Sequence, residues 1–240
     1  SGNVYVTGQS MTTPTVQAIV TVKYNSSGAQ QWLAVYSGTE ANNEMGKSIA
    51  VDGSGNVYVS GFSNSATTGL DIVTIKYNSA GAQQWTVRYN GTANSFDEPA
   101  KVLTDAAGNV YVFGQTAMTG SLTDLIVIKY NSAGTELWKA TYNGATNQDE
   151  VAASMAIDGT GNVYVLGKTR VDVFSTAFVT VKYNAAGTRE WAKTYAGPGN
   201  SEDTPAMLVL DASGNVYSAG TSYGAGPQMG NTITQEHNNG

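Results

Sequence analysis

The chain has 240 residues, a net charge of −6, 41% apolar and only 12% charged residues, and no cysteine. There is enough apolar material for a sizeable core, but no cationic footprint for nucleic acid or for an anionic membrane surface. The lack of cysteine removes disulfides, thiol catalysis, iron–sulfur clusters and Cys-bearing zinc sites, and no apolar run approaches the roughly 18 residues of a membrane-spanning helix.

Read from the N-terminus, the elements recur. Gly-Asn-Val-Tyr begins at Gly2, Gly55, Gly108, Gly161 and Gly214, a step of 53 residues each time. Lys-Tyr-Asn keeps the same step from Lys23, Lys76, Lys129 and Lys182, as do Trp32, Trp85, Trp138 and Trp191. The first unit opens inside a turn at Ser1-Gly2-Asn3, so its leading strand is missing. The second unit shows the whole pattern. Residues 48–52 alternate, 52–56 form a turn, and 57–61 form a second run. A Ser/Thr/Gly stretch leads to a third run at 72–78, a turn at 79–81 and a fourth run at 84–90. Alternation and β-branched content mark each run as a strand, and Gly, Asn and Asp separate them. The third and fourth units repeat this, and the fifth keeps strands at 207–211 and 216–220. Residues 232–235 read as a degraded third strand within an otherwise irregular tail over 223–240. The unit boundaries fall at about 1–47, 48–100, 101–153, 154–206 and 207–222.

Four short antiparallel strands per period predict an all-β fold, a β-propeller of four-stranded blades. A right-handed β-solenoid is the alternative, although its coils usually need far fewer residues. This segment carries four to five blades. Either residues 207–211 complete the first unit in a four-blade ring, or the partial units belong to a larger ring finished by neighbouring repeats or a second chain. The latter is the preferred expectation.

The pattern in residues 51–61 and 71–81, followed by Trp85, Tyr89, Gly91 and Asp97, resembles the bacterial SBBP β-propeller repeat. The resemblance runs from Ser1 to about Gly220, with Ala18 and Ala177 replacing the Asp before strand three. It implies a propeller of secreted or surface proteins in bacteria and no shared enzymatic reaction.

Strand direction divides the loops between two faces. The turns after strands one and three are nearly constant, Asp-x-x-Gly-Asn and Asn-x-x-Gly. The loops at 9–18, 62–71, 115–124 and 168–177 differ in every copy, and variable loops on a rigid scaffold are where binding usually lives. That face is acidic. One column holds Glu44, Asp97, Glu150 and Asp203, with Asp71, Asp124, Glu98, Asp149, Asp172 and Glu202 on the same side. Glu44, Asp97, Glu150, Asp203, Asp71 and Asp124 are therefore the candidate binding residues. A ring of carboxylates suits Ca²⁺ or a cationic partner. The plainer reading is that each acid accepts backbone N–H groups in its own loop, with the Lys column as charge partner. Asp52, Asp105, Asp158 and Asp211 lack the further ligands of a calcium loop and read as turn caps. The Trp column suits either packing between blades or stacking on sugars.

Catalysis has little in its favour at this level. His237 is the only histidine, and regularly spaced carboxylates speak for repeat structure. No cofactor is called for. The expected function is a non-enzymatic binding or structural module of an exported bacterial surface protein, mediating protein–protein interaction or adhesion. Carbohydrate binding is the alternative, and polysaccharide cleavage comes last. The expected location is extracellular or cell-surface, since a Thr/Ser/Asn/Gly surface with few charges fits export. The partner is a protein or an extracellular glycan, with no nucleic acid and no membrane insertion. The start at Ser1 without Met reads as a processed or cut N-terminus.

Overall fold

A computed structural model describes residues 2–38, 43–199, 201–223 and 231–237. The tail residues 224–230 and 238–240 lie outside the described residues. The first sheet contains β1 (Val4–Thr13), β2 (Val16–Tyr24) and β3 (Gln30–Tyr36). The second contains β4 (Glu44–Val51), β5 (Val57–Ser65), β6 (Gly69–Tyr77) and β7 (Gln83–Tyr89). The third contains β8 (Asp97–Thr104), β9 (Val110–Ala117), β10 (Thr123–Tyr130) and β11 (Glu136–Tyr142). The fourth contains β12 (Glu150–Ile157), β13 (Val163–Arg170), β14 (Thr176–Tyr183) and β15 (Arg189–Tyr195). The fifth contains β16 (Thr204–Leu210), β17 (Val216–Ser222) and β18 (Asn231–His237). Each sheet is a meander in which neighbours in sequence are neighbours in space. The described chain is thus all-β, built of antiparallel, propeller-like sheets.

The chain divides into two compact units, Ser1–Val112 with Lys129–Leu137, and Phe113–Ile128 with Trp138–Gly240. In the first unit, Val57, Val59, Val73, Ile75 and Tyr77 of the second sheet pack on Ile19, Tyr5, Trp32, Ala34 and Tyr36 of the first. In the second unit, Leu208, Leu210 and Val216 of the fifth sheet pack on Tyr164, Leu166, Phe178, Trp191 and Tyr195 of the fourth. The same columns therefore meet in both units. Within each unit alternation sends one face of each strand to the neighbouring sheet, and that face is apolar.

Local chemistry sets the turns. In the turn after β4, Asp52 Oδ1 accepts the N–H groups of Ser54 and Asn56 at 2.9 Å. Its Oδ2 accepts from Asn56 Nδ2 at 2.8 Å and from the Tyr58 hydroxyl at 3.1 Å. Gly55 completes the turn at φ +80, where a side chain would be strained. Asp105, Asp158 and Asp211 repeat the arrangement. Strand one carries a recurrent bulge, seen between Gly46 and Ser48, Ala152 and Ser154, and Pro205 and Met207.

Two differences from the sequence reading have local causes. Strand two continues past the expected end at residue 61 to Ser65 and pairs on to Gly69. This Ser/Thr-rich stretch lacks apolar alternation, yet its backbone ladder runs on regardless of side-chain polarity. Strand one also starts earlier than expected, at Glu44, because its first carboxylate is itself buried. At the C-terminal end β16 pairs with β17, and β18 pairs with β17 on the other side. Residues 207–211 therefore belong to a sheet of their own and are not the missing strand of the first sheet.

Candidate functional site

The carboxylate column begins strand one in each repeat and lies below the surface. Glu44, Asp97, Glu150 and Asp203 are all buried. Asp97 Oδ2 accepts the Gly91 N–H at 2.7 Å, and Asp203 Oδ2 accepts that of Gly197 at 2.6 Å. Glu44 and Glu150 take the N–H groups of Gly38 and Gly144 in the same way. Their Oε1 atoms also accept hydroxyls from strand two, Ser63 at 3.0 Å and Thr169 at 2.8 Å. A Cβ on Gly144 would stand 2.6 Å from Glu150 Oε1, so glycine is what admits the carboxylate. Each acid ties the exit of one repeat to the first strand of the next.

The lysine column turns to the other face at Lys23 and Lys76. Lys23 and Lys76 lie over the rings of Tyr5 and Tyr58 and donate to the carbonyls of Ser79 and Ser132 at 3.1 and 2.9 Å, on the constant face. The tryptophans lock onto the same carbonyls, with Trp32 Nε1 on Ser79 at 3.1 Å and Trp85 Nε1 on Ser132 at 3.0 Å. In the second unit Trp138 Nε1 donates to Ala185 at 3.0 Å. The aromatic column thus joins successive sheets.

The remaining two candidates differ from each other. In the first unit Asp71 is ion-paired with Arg88 at 2.5 Å and accepts the Thr68 hydroxyl at 2.7 Å. Arg88 also donates to the Ser63 carbonyl at 2.7 Å and to the Ser63 hydroxyl at 3.2 Å, which links Asp71 to Glu44. In the second unit Asp124 has no such guanidinium, since Thr141 occupies the register of Arg88. Burial pushes the Asp124 carboxyl above its ordinary range. Glu150 is pushed up to about 7, first by burial and then by the nearby charges of Asp124 and Asp149. Its bonds from Thr169 and Gly144 offset only part of this. Glu44 is also raised by burial, but there the charge of Arg88 acts in the opposite direction.

Next to this acidic group the second unit opens a cleft of about 370 Å³, lined by Thr146, Gln148, Asp149, Arg170, Asp172 and Val173. Asp149 Oδ1 accepts the Thr123 hydroxyl at 2.8 Å. Asp172 accepts the N–H groups of Phe174 and Ser175, both at 2.8 Å, and bonds from its own loop hold its carboxyl below the usual range. Arg170 Nη1 donates to the Val173 carbonyl at 3.1 Å. Val173 and Phe174 project from this loop, 76% and 84% exposed. In the sequence reading Asp149 and Asp172 stand on the acidic face but not among the six candidate binding residues, and Arg170 is not singled out at all. Their signal in the sequence is the apolar Val-Phe pair in a loop that breaks the repeat. Among the described residues no group of three or more His, Asp or Glu side chains could hold a metal ion. His237 lies on β18, and its side chain is outside what is described.

Residues 39–66 match the SBBP family, described as a beta-propeller repeat. No curated protein matches. Among solved structures, a protein of Bifidobacterium bifidum proposed to be an exo-beta-1,3-galactanase shares 10% identity at a TM-score of 0.51, over 98% of this chain and 84% of that one. A gluconolactonase of Xanthomonas campestris shares 10% identity at 0.46, over 85% of this chain. The chain spans 65% of that enzyme's length. A further protein, proposed to be a gluconolactonase, shares 14% at 0.43, over 89% of this chain and 72% of that one. The expectation of a non-enzymatic binding or adhesion module is corrected here, because the structural neighbour with a TM-score of 0.51 is described as an exo-beta-1,3-galactanase. The expectation rested on the regular spacing of the acids, whereas the cleft in the second unit lies where that regularity breaks. At such identities the likeness is one of fold.

Proposed function

We propose that this chain, which carries an SBBP repeat, is a carbohydrate-active enzyme that cleaves glycosidic bonds at the cleft of the second unit. One observation carries the reading: two carboxylates, Asp149 and Asp172, line a single cleft with Arg170, beside a strongly exposed aromatic residue. Glycoside cleavage asks for a pair of carboxyl groups flanking the bond, one to protonate the leaving oxygen and one to act as base or nucleophile. Asp172, held ionised by its loop, suits the second role. Asp149, whose Oδ1 accepts the Thr123 hydroxyl at the edge of the cleft, is the other carboxyl of the pair. Gln148, Thr146 and Arg170 supply donors and acceptors for sugar hydroxyls. Phe174 and Val173 offer an apolar surface to a sugar ring. An extracellular glycan as substrate and an extracellular or cell-surface location belong to the same proposal, supported by the low charge and the Thr/Ser/Asn/Gly-rich composition.

Release of reducing ends from extracellular polysaccharides tests it. Beta-1,3-galactan comes first because it is the substrate named for the Bifidobacterium bifidum protein. Activity that is lost in both Asp149→Asn and Asp172→Asn supports the proposal. No product from any polysaccharide, or full activity in both variants, would remove it.

A further inference from the structure

The contacts between the first and second sheets and between the fourth and fifth follow one rule. The face of a sheet that carries the valines of strand two meets the tyrosine-bearing face of the sheet before it. Among the described residues, two such faces, one on the first sheet and one on the fifth, meet no sheet within their own unit. In the first sheet Val4, Val6, Leu33 and Val35 are each about half exposed. Val6 is 50% exposed, whereas Val59, its equivalent in the second sheet, is 0% exposed. In the fifth sheet the opposite face shows Met207, 60% exposed, together with Val209 and a half-buried Tyr217. The equivalent Tyr58 and Tyr164 are buried, and Ala156, at the register of Val209, packs in the second unit's core.

The two open faces are the two halves of a contact the chain already makes twice. The first sheet is moreover adapted to be covered. Its outer strand carries Leu33 and Val35 where the second sheet has Thr86 and Arg88, and the third has Lys139 and Thr141. Apolar side chains stand at registers that the second and third sheets fill with polar ones, a composition suited to a buried face.

We propose that a second copy of this chain covers each face. The valine face of the first sheet of one copy receives the tyrosine face of the fifth sheet of the next, in head-to-tail association. Because the two surfaces differ, the contact is heterologous and generates rings or open chains. This proposal is independent of the glycan-cleaving activity.

The test is molar mass by light scattering and sedimentation of the 240-residue chain from micromolar to millimolar concentration. The expected result is a mass that rises with concentration. Leu33→Lys with Val35→Arg should lower the apparent association constant roughly tenfold or more. Met207→Lys should do the same. The repeat already carries Lys139, Arg88 and Lys101 at these registers, so the fold accommodates the changes. Val6→Ser, with Ser218 at the same register, is a milder check. Mixing the Leu33/Val35 variant with the Met207 variant leaves one intact face on each and should produce a dimer that neither forms alone. A wild-type chain that stays monomeric throughout overturns the proposal. So does a mixture that fails to pair, because that result marks a self-complementary contact instead.

Discussion

Arg88 Nε donates to Asp71 Oδ2 at 2.5 Å, and the remaining guanidinium nitrogens grip Ser63, whose hydroxyl donates to Glu44. One cation thus serves two buried acids of the first unit. Two periods later the same registers hold Ala177 and Thr194, so the repeat is built with or without this pair.

Arg88→Thr should therefore be costly alone and mild in company. Asp71 is 1% exposed, and removing the guanidinium leaves a buried charge uncompensated. We expect a loss of about 2–4 kcal/mol, in the lower part of the range for buried pairs because the arginine itself is partly exposed. Adding Asp71→Ala recreates the Ala177/Thr194 combination and should recover most of that loss. Urea unfolding of the two single variants and the double variant gives the coupling, and strictly additive losses would contradict the pairing.

Glu150 gives a pH dependence of defined sign. In the fold its carboxyl is raised to about 7 from an ordinary value near 4.5, so between those values the folded chain keeps a proton that the unfolded chain has released. Its contribution to stability is therefore full below about 4.5 and declines as pH rises to about 7. Glu150→Gln retains an oxygen for Thr169 and Gly144 but carries no titrating proton. Above pH 7 the variant should be the more stable protein, by about 2 kcal/mol, and the difference should vanish near pH 4. Unfolding curves for both proteins at acidic and alkaline pH check this, and parallel pH profiles would refute it.

Asp105 works in the opposite direction. Its carboxylate accepts the N–H groups of Ala107 and Asn109, the Asn109 amide and the Tyr111 hydroxyl. These bonds outweigh partial burial and hold it below the usual carboxylate range. Its stabilisation is present above the unfolded value and is lost as pH falls through the folded one. Asp105→Ala should cost about 1 kcal/mol near neutrality, typical of a lost cap. The gap between the two proteins should narrow as pH falls through the folded carboxyl's lowered range. Thermal unfolding across the acid range would expose a constant gap if the turn does not depend on this charge.

How far the sequence discloses these arrangements depends on how local they are. The Asp52 and Asp105 turns are legible because cap, glycine and tyrosine lie within six residues of one another. The burial of Glu44 and Glu150 is not, since it depends on a hydroxyl 19 residues away and on a glycine in the preceding repeat's exit. Columns also draw attention to what repeats, whereas the cleft of the second unit is made by what does not. Arg170, Asp172, Val173 and Phe174 have no counterparts in the other loops at 9–18, 62–71 and 115–124, so a search for regularity discounts them. The same weight on regularity produced the expectation of a module without catalysis.

Gly134 and Trp85 test the joint between successive repeats. Gly134 sits at φ +84 in the turn after strand three, and a Cβ there would lie 2.9 Å from Trp85 Cδ2. Trp85 meanwhile donates its indole N–H to Ser132 two residues earlier in the same turn. Gly134→Ala must therefore strain the backbone and also displace a ring that is hydrogen-bonded in place. Gly28 supplies the control, because it has φ +80 at the same register, with nothing within 4 Å of the methyl that an alanine would add. Gly28→Ala should cost only the left-handed backbone term, about 1 kcal/mol, while Gly134→Ala should cost about 2–4 kcal/mol by adding the overpacking term. Pairing Gly134→Ala with Trp85→Leu should remove that excess, since the smaller side chain leaves room for the methyl. Denaturant unfolding measures all three. Equal losses at Gly28 and Gly134 would mean that the tryptophan contact adds nothing to the joint, and that apolar packing alone holds neighbouring sheets together.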